Sequence, residues 1–152
     1  MEKFDFDRES FDRLKQAGWS AKRTVDTTLY LLDWQKDGYS VFSKALKFTQ
    51  SFGGIRLVHR AYGVNTLDQS HFDSSAATRR FNRKWAVDVY EGLAQEALIP
   101  VGQGYSEHLT YLLGNKGGLY GGYDDYFCRI GRTVEEAVSN IIFAHQFEEL
   151  SD

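Results

Sequence analysis

Glycine-containing turn signals recur along this 152-residue chain, and they constrain its fold more than any other feature of the sequence. They are Gly18-Trp19, Phe52-Gly53-Gly54-Ile55, Ile99-Pro100-Val101-Gly102, Gly118-Leu119-Tyr120, and Gly131 followed by Thr133 and Glu136. Glycine reaches positive φ angles at little cost, so it commonly ends helices and forms tight turns. The signals divide the chain into short elements with no linker or internal repeat between them. We therefore expect a single domain over residues 1–152.

Three helices are predicted in the first third of the chain. Asp7 is suited to cap the first helix, which should end at Gly18, and Trp19 should then return to the core. The second helix is predicted from residue 27 or 28 to residue 36, and the third over residues 41–51. An apolar stripe at helical spacing in the third helix predicts that it faces the core; its members are Phe42, Ala45, Leu46, Thr49 and Phe52.

Strands predominate in the prediction for the rest of the chain. A strand is expected at residues 55–59, whereas residues 63–78 are rich in polar residues and are predicted to be irregular, with a short strand near His71-Phe72-Asp73. The apolar residues of 82–95 fit both the alternation of a strand and the spacing of a helix, and the length and the Ala and Glu content of this stretch favour a helix. Further strands are predicted at residues 98–102, 108–113, 119–123 and 126–130, with a hairpin turn at residues 114–118.

A last helix is predicted after these strands. Thr133 and Glu136 have the spacing of a capping box. The buried face of this helix should consist of Val134, Ala137, Val138, Ile141 and Ile142. Helices first, an antiparallel meander second and a helix last predict an α+β fold, in which a central antiparallel β-sheet is flanked by N-terminal helices and a C-terminal helix.

Composition and cysteine content restrict the class of protein. Hydrophobic residues make up 42% of the chain and aromatic residues 15%, which is sufficient for a buried core. No apolar run approaches the roughly 20 residues that span a bilayer, and the N-terminus lacks the layout of a secretory signal. Cys128 is the single cysteine, so it cannot form an internal disulfide, and we expect it to be buried. These features lead us to expect a cytoplasmic protein.

Motifs of common catalytic and cofactor sites are not found in the sequence. Lys116 is followed by glycine where a phosphate-binding loop requires Ser or Thr, and the glycines at 102 and 104 do not complete a dinucleotide fingerprint. No two of the four histidines have helical ligand spacing. We therefore expect no cofactor, no metal and no enzymatic activity. The rival interpretation is a small hydrolase that uses Cys128 or clustered acids such as those at residues 124 and 125.

Negative charge is concentrated in the last part of the chain. The formal net charge is −3 at pH 7, but residues 119–152 contain seven acidic and two basic residues. The acidic residues are Asp124, Asp125, Glu135, Glu136, Glu148, Glu149 and Asp152. This segment thus carries −5 and the first 118 residues carry +2. The asymmetry favours an oppositely charged partner near the C-terminal third, and the alternative is an ordinary solvated surface.

Tyrosines and aspartates are interleaved over residues 119–127. Exposed tyrosines supply large, rigid contact area, and neighbouring acids can pair with Arg or Lys of a partner. The candidate binding residues are Tyr120, Tyr123, Asp124, Asp125 and Tyr126, with Glu107 as a further candidate. The alternative is that the aromatic side chains form one core face of a sheet.

A basic cluster suggests a different function. Its cations, which surround Phe81 and precede Trp85, are Arg79, Arg80, Arg83 and Lys84. Cations interleaved with aromatic rings can bind nucleic-acid phosphates. The overall acidity of the chain favours a solvated helix face instead.

The ordered turn motifs resemble those of the SUKH superfamily, and within it the third subgroup. The motifs that carry the resemblance are Ala17-Gly18-Trp19, Phe52-Gly53-Gly54, Pro100-Val101-Gly102, Gly118-Leu119-Tyr120 and the capped final helix. They extend over nearly the whole chain, and the long polar stretch over residues 63–84 departs from the family pattern. The resemblance implies an α+β fold with a central antiparallel sheet flanked by helices.

The resemblance also implies a function. Bacterial members of this subgroup are mostly immunity proteins, which act as antitoxins in polymorphic toxin systems. It therefore implies a cytoplasmic protein that binds the C-terminal domain of a cognate secreted toxin, usually an RNase or DNase, and neutralises it by stoichiometric inhibition. The motifs are scaffold positions, so no catalytic residue is implied. The alternative within the same superfamily is a general intracellular protein-interaction module.

Overall fold

The computed structural model describes residues 3–61 and 66–151. Three helices come first: α1 (Arg8–Gln16), α2 (Thr28–Lys36) and α3 (Ser43–Phe52). Two strands and a helix follow, namely β1 (Arg56–Arg60), β2 (Leu67–His71) and α4 (Ser74–Arg80). A helical stretch over residues 83–94 consists of α5 (Arg83–Trp85), a π-helical turn (Ala86–Tyr90) and α6 (Glu91–Ala94). The remaining elements are β3 (Leu98–Gly104), β4 (Leu109–Gly114), β5 (Leu119–Tyr123), β6 (Tyr126–Gly131), α7 (Val134–Ile142) and β7 (Glu148–Glu149).

Local side-chain chemistry sets the ends of the first and last long helices. The Asp7 carboxylate accepts a hydrogen bond from the Ser10 amide at 2.8 Å, and Gly18 follows α1 with a φ of +97°. The Thr133 hydroxyl accepts from the Glu136 amide at 3.1 Å, and the Glu136 carboxylate accepts from the amide of Arg132 at 3.4 Å. Both caps therefore confirm the helix starts that the sequence predicts.

The sheet of the described residues has seven strands in chain order, and every neighbouring pair is antiparallel. This meander, preceded by α1 to α3 and flanked by α7, confirms the predicted α+β fold with a central antiparallel sheet. Successive strand residues point to opposite faces, so the central strands contribute to two cores at once. Leu119 belongs to the larger core and Tyr120 to the smaller one, although they are adjacent in β5.

The larger core lies between one face of the sheet and helices α1, α3 and α7. Trp19 returns to it as predicted: it is 2% exposed and stacks on Phe52 at a centroid distance of 5.3 Å. Trp34 of α2 is fully buried, and its indole N–H donates to the carbonyl of Pro100 at 2.8 Å. The predicted buried face of α7 is confirmed, since each of its members is at most 9% exposed: Val134, Ala137, Val138, Ile141 and Ile142.

The smaller core lies on the other face of the sheet, beneath the helical stretch over residues 83–94. Tyr90 is fully buried and stacks on Phe127 at 4.4 Å, and Phe127 stacks in turn on Tyr120 at 5.3 Å. The helical interpretation of residues 82–95 is thus confirmed over residues 83–94, and this stretch covers the rings of β5 and β6.

Residues 63–78 differ from the prediction. Residues 63–65 lie outside the described residues, but β2 covers Leu67–His71 and α4 begins at Ser74, so the irregular assignment is wrong for this part. The Asp73 carboxylate caps α4 by accepting from the Ala76 amide at 3.1 Å. The residues that α4 buries are small: Ser74, Ser75, Ala76, Ala77 and Thr78. Small, polar side chains gave no apolar periodicity, although tertiary packing makes this segment a helix.

Candidate interaction surface

The turn between β5 and β6 carries four of the predicted binding residues on the surface of the molecule. Tyr123, Asp124, Asp125 and Tyr126 are all exposed, and the tyrosines pair across the end of the hairpin. Tyr123 is 49% exposed and Tyr126 is 37% exposed. Within the described part of the chain, neither aspartate forms an ion pair. We call residues 123–126 the Tyr-Asp turn; its charges are available to a partner.

The Tyr-Asp turn is held in place by the smaller core. The buried Tyr90 hydroxyl donates a hydrogen bond to the backbone carbonyl of Asp124. A Cβ atom on Gly122 would lie 2.4 Å from the Tyr90 ring, so only glycine lets this ring pass beneath the strand. Asp124 itself has a φ of +49°, a conformation that Asp and Asn tolerate better than most residues. The turn is therefore presented on a fixed support.

An aromatic pocket of about 520 Å³ adjoins the Tyr-Asp turn. Its lining includes Tyr105, His108, Tyr123, Tyr126, Phe147 and Glu149. The rings of His108 and Tyr123 are nearly parallel at 5.7 Å, and Tyr105 meets Phe147 edge-on at 6.2 Å. Burial raises the pKa of Tyr105 to about 12 and also raises the pKa of Tyr126, so both phenols are neutral at physiological pH. The pocket is therefore walled mainly by uncharged aromatic rings.

Glu107 lies on the neighbouring β3–β4 loop, and its carboxylate pairs with Arg80 at 2.7 Å. Tyr105, Ser106 and Glu107 have φ angles of +55°, +60° and +65°, so three consecutive non-glycine residues adopt a left-handed conformation. Glu107 lines a second depression, of about 310 Å³, together with Tyr123 and Asp124. The structure thus brings Glu107 beside the Tyr-Asp turn, although Arg80 offsets its charge.

Tyr120 lies away from this surface. It is 2% exposed, its ring stacks on Phe127, and its hydroxyl donates to the Glu96 carboxylate. Burial, together with the Glu96 carboxylate, raises the pKa of Tyr120 to about 12. For this residue the core alternative holds, because the helical stretch over residues 83–94 covers this face of β5. We therefore leave Tyr120 out of the candidate surface.

The basic cluster is largely engaged within the molecule. Arg79 pairs with Asp33 at 3.3 Å, Arg80 pairs with Glu107, and the Arg83 guanidinium lies 5.5 Å from the centre of the Tyr39 ring. These contacts hold three of the four cations and offset two of their charges. A surface that binds nucleic acid needs several cations free to contact phosphates, so this arrangement speaks against such a site.

The side chains considered for catalysis are poorly placed for it. Cys128 is fully buried, as predicted, and burial raises the pKa of its thiol to about 11. A thiol of that pKa is protonated at neutral pH and is a weak nucleophile. Asp124 and Asp125 lie side by side on an exposed turn. Among residues 3–61 and 66–151, no group of three His, Cys, Asp or Glu side chains is placed to hold a metal ion.

The sequence interpretation missed the other walls of the aromatic pocket. Phe147 and Glu149 reach it because β7 pairs with β6, where Glu149 lies opposite Cys128. Tyr105 reaches it through the left-handed loop between β3 and β4. A two-residue strand has no periodicity to detect, and no motif marks this loop. His108 was considered only as a metal ligand.

These features define a class of protein: one that presents an acidic, tyrosine-bearing turn at its surface. In the described ranges, no helix combines the length and the apolarity required to cross a bilayer. The chain belongs to the SUKH-3 immunity protein family, whose family model matches residues 6–143. The resemblance read from the turn motifs is thereby confirmed. Comparison with curated proteins and with solved structures gave no match.

Proposed function

We propose that this protein is a cytoplasmic antitoxin of a polymorphic toxin system, acting as one domain over residues 1–152. It binds the C-terminal domain of a cognate secreted toxin and blocks it stoichiometrically, without catalysis of its own. Membership of an immunity protein family supports a toxin as the partner. The observation that carries the proposed binding mode is the Tyr-Asp turn, where two exposed tyrosines flank two aspartates that form no ion pair with any described residue.

The proposed toxin is a nuclease, because charge complementarity supports one. A nuclease presents cations to the phosphates of its substrate, and an acidic inhibitor is attracted to that surface. Asp124 and Asp125 lie at the tip of the turn, in the segment of the chain that carries a charge of −5. Such complementarity accelerates association and selects against wrong partners. The toxin-binding residues we propose are therefore Tyr123, Asp124, Asp125, Tyr126 and Glu107.

The second candidate function is a general protein-interaction module of the same superfamily. It uses the same exposed turn and differs only in its partner. A nucleic-acid-binding role is less well supported, because Arg79 and Arg80 are held in ion pairs. A toxin-specific assay separates these possibilities.

Co-expression tests the proposed function directly. For an immunity gene we expect a gene for a large secreted protein immediately upstream, and the C-terminal domain of that protein is the toxin domain to use. We expect cells that make both proteins to grow and cells that make the toxin domain alone to arrest. Purified protein should then abolish nuclease activity at a one-to-one ratio. Growth arrest despite equal expression of both proteins would exclude the immunity function.

Removal of the turn charges tests the binding surface. The double variant Asp124→Asn and Asp125→Asn keeps the turn, because Asn tolerates the φ of +49° at position 124. We expect the association rate constant for the toxin domain to fall about 10-fold at low salt and its salt dependence to flatten. The matched control is Asp12→Asn with Asp37→Asn, which changes the net charge equally at exposed positions outside the turn. Equal rates for the two variants would place the interface elsewhere.

A further inference from the structure

The aromatic pocket combines ring faces with a carboxylate. Tyr123 and His108 form one wall, Tyr105 and Phe147 meet edge-on in another, and Glu149 of β7 adds a carboxylate to the lining. Aromatic rings attract cations through the negative charge of their faces, and the attraction increases when the cation is desolvated. The composition is therefore that of an aromatic cage with an acidic edge.

The Glu149 carboxylate is not neutralised from within the described chain. Arg129, which lies on the neighbouring strand β6, pairs instead with Glu148 at 2.6 Å. Glu149 accepts one hydrogen bond, from the hydroxyl of Ser151 at 3.2 Å. The pocket lining given by the described residues contains no lysine or arginine. A partner that covered the pocket with an apolar side chain would bury this carboxylate beside the rings without a counter-charge, which is unfavourable.

We propose that the aromatic pocket receives an arginine side chain of the partner, stacked on Tyr123 and paired with the Glu149 carboxylate. A guanidinium fits because it is planar, stacks on aromatic faces and donates two parallel hydrogen bonds to one carboxylate. This inference rests on the proposed function, and it names the chemistry of the anchor. For a nuclease, the captured arginine is of the kind that contacts substrate phosphates, so its capture would compete with substrate.

Three single variants, measured as dissociation constants for the toxin domain, separate a cation from an apolar anchor. Tyr123→Phe keeps the ring and should bind within about 3-fold of the wild type. Tyr123→Leu keeps apolar area without the ring, and we expect binding to weaken about 10- to 30-fold. Glu149→Gln removes the charge at an exposed position and should weaken binding at least 10-fold. Wild-type affinity in both Tyr123→Leu and Glu149→Gln would overturn the arginine anchor while leaving the immunity function intact.

A second measurement is independent of any toxin. N-acetyl-arginine amide, titrated into the wild-type protein and followed by NMR, should shift the resonances of His108, Tyr123 and Glu149, whereas N-acetyl-leucine amide should not. Glu149→Gln should abolish the shifts. Failure of the co-expression assay with these shifts present would reject the proposed toxin but retain the cation pocket. Equal shifts with both amides, or none with either, would overturn the pocket assignment.

Discussion

The two ends of strand β5 use the same residue type for different purposes. Tyr120, near the start of the strand, is 2% exposed, whereas Tyr123, at its end, is 49% exposed. Tyr120 packs under the helical stretch over residues 83–94 and donates its hydroxyl to Glu96. Tyr123 stacks on His108 at the surface, beside two aspartates that have no ion pair in the described chain. One end stabilises the fold, and the other presents a surface.

The polar groups differ between the two ends in the same way. Near Tyr120, Glu96 also accepts a hydrogen bond from the Lys116 amide at 2.6 Å, so its carboxylate is hydrogen-bonded within the protein. At the other end, the fold holds the backbone of Asp124 through Tyr90 and leaves the side chain in solvent. A binding surface of this kind needs a fixed backbone and uncommitted side chains. Internal pairing, more than residue type, therefore separates the residues that stabilise the fold from those that are free to contact the proposed partner.

Truncation of the two tyrosines should give the largest difference between the ends. Tyr120→Ala removes a ring packed on Phe127 and leaves a cavity in the smaller core, so we expect it to lower the free energy of unfolding by about 3–5 kcal/mol. Tyr123→Ala should change it by less than about 1 kcal/mol, because half of that side chain is exposed. Urea denaturation of both variants provides the measurement. Toxin affinity should show the reverse order. Equal losses of stability in the two variants would contradict the different roles assigned to the two ends of β5.

Removal of the Tyr120 hydroxyl should have a smaller effect on stability than removal of the whole ring, and this effect should depend on pH. At pH 8, Tyr120→Phe should cost about 1–2 kcal/mol of unfolding free energy, since Glu96 loses a donor. The pKa of Tyr120 is about 12 in the folded protein, above the value of about 10 for an unfolded tyrosine. Its contribution is therefore complete below about pH 10 and is lost as the pH rises from 10 to 12. Unfolding free energies at pH 8, 10 and 11.5 should show the gap between wild type and variant closing.

The pH dependence of the wild type does not by itself report on Tyr120. Tyr105 also has a pKa of about 12, so the wild type loses stability in the same window for more than one reason. Only the difference between wild type and Tyr120→Phe isolates the buried hydroxyl. A gap that stays constant up to pH 11.5 would contradict the role assigned to the Tyr120–Glu96 contact.

Sequence patterns predicted the elements whose signals are local. The Asp7 and Thr133 caps, the apolar face of α7 and the glycine-rich hairpin at residues 114–118 each depend on neighbours within a few positions, and all are present. Helix α4 was missed because its buried residues are small and polar, such as Ser74 and Thr78. Its helical state depends on packing against β3 and α2, which no local pattern encodes.

The candidate surface could be predicted only in part for the same reason. Tyr123, Asp124, Asp125 and Tyr126 are contiguous, so one segment was enough to suggest them. The opposite side of the pocket comes from Phe147 and Glu149, which the pairing of β7 with β6 brings to the Tyr-Asp turn. Alternation along β5 did not show whether a tyrosine faces a core or a partner. The helical stretch that covers Tyr120 decides that, and it is a feature of tertiary structure.

Backbone conformation at Asp124 gives the smallest expected effect and tests whether the turn is a fixed support. Its φ of +49° favours Gly, which lacks a Cβ atom, and Asn or Asp, whose short polar side chains can hydrogen-bond locally, over other residues. Asp124→Gly and Asp124→Asn should therefore change the free energy of unfolding by less than about 0.5 kcal/mol, whereas Asp124→Ala should lower it by about 1 kcal/mol. All three remove the same charge, so the electrostatic loss in toxin association is shared. Gly and Ala both lack a polar side chain, so weaker binding by Asp124→Ala than by Asp124→Gly would then report on turn geometry. Identical behaviour of the three would show that the backbone held by Tyr90 is not required for recognition.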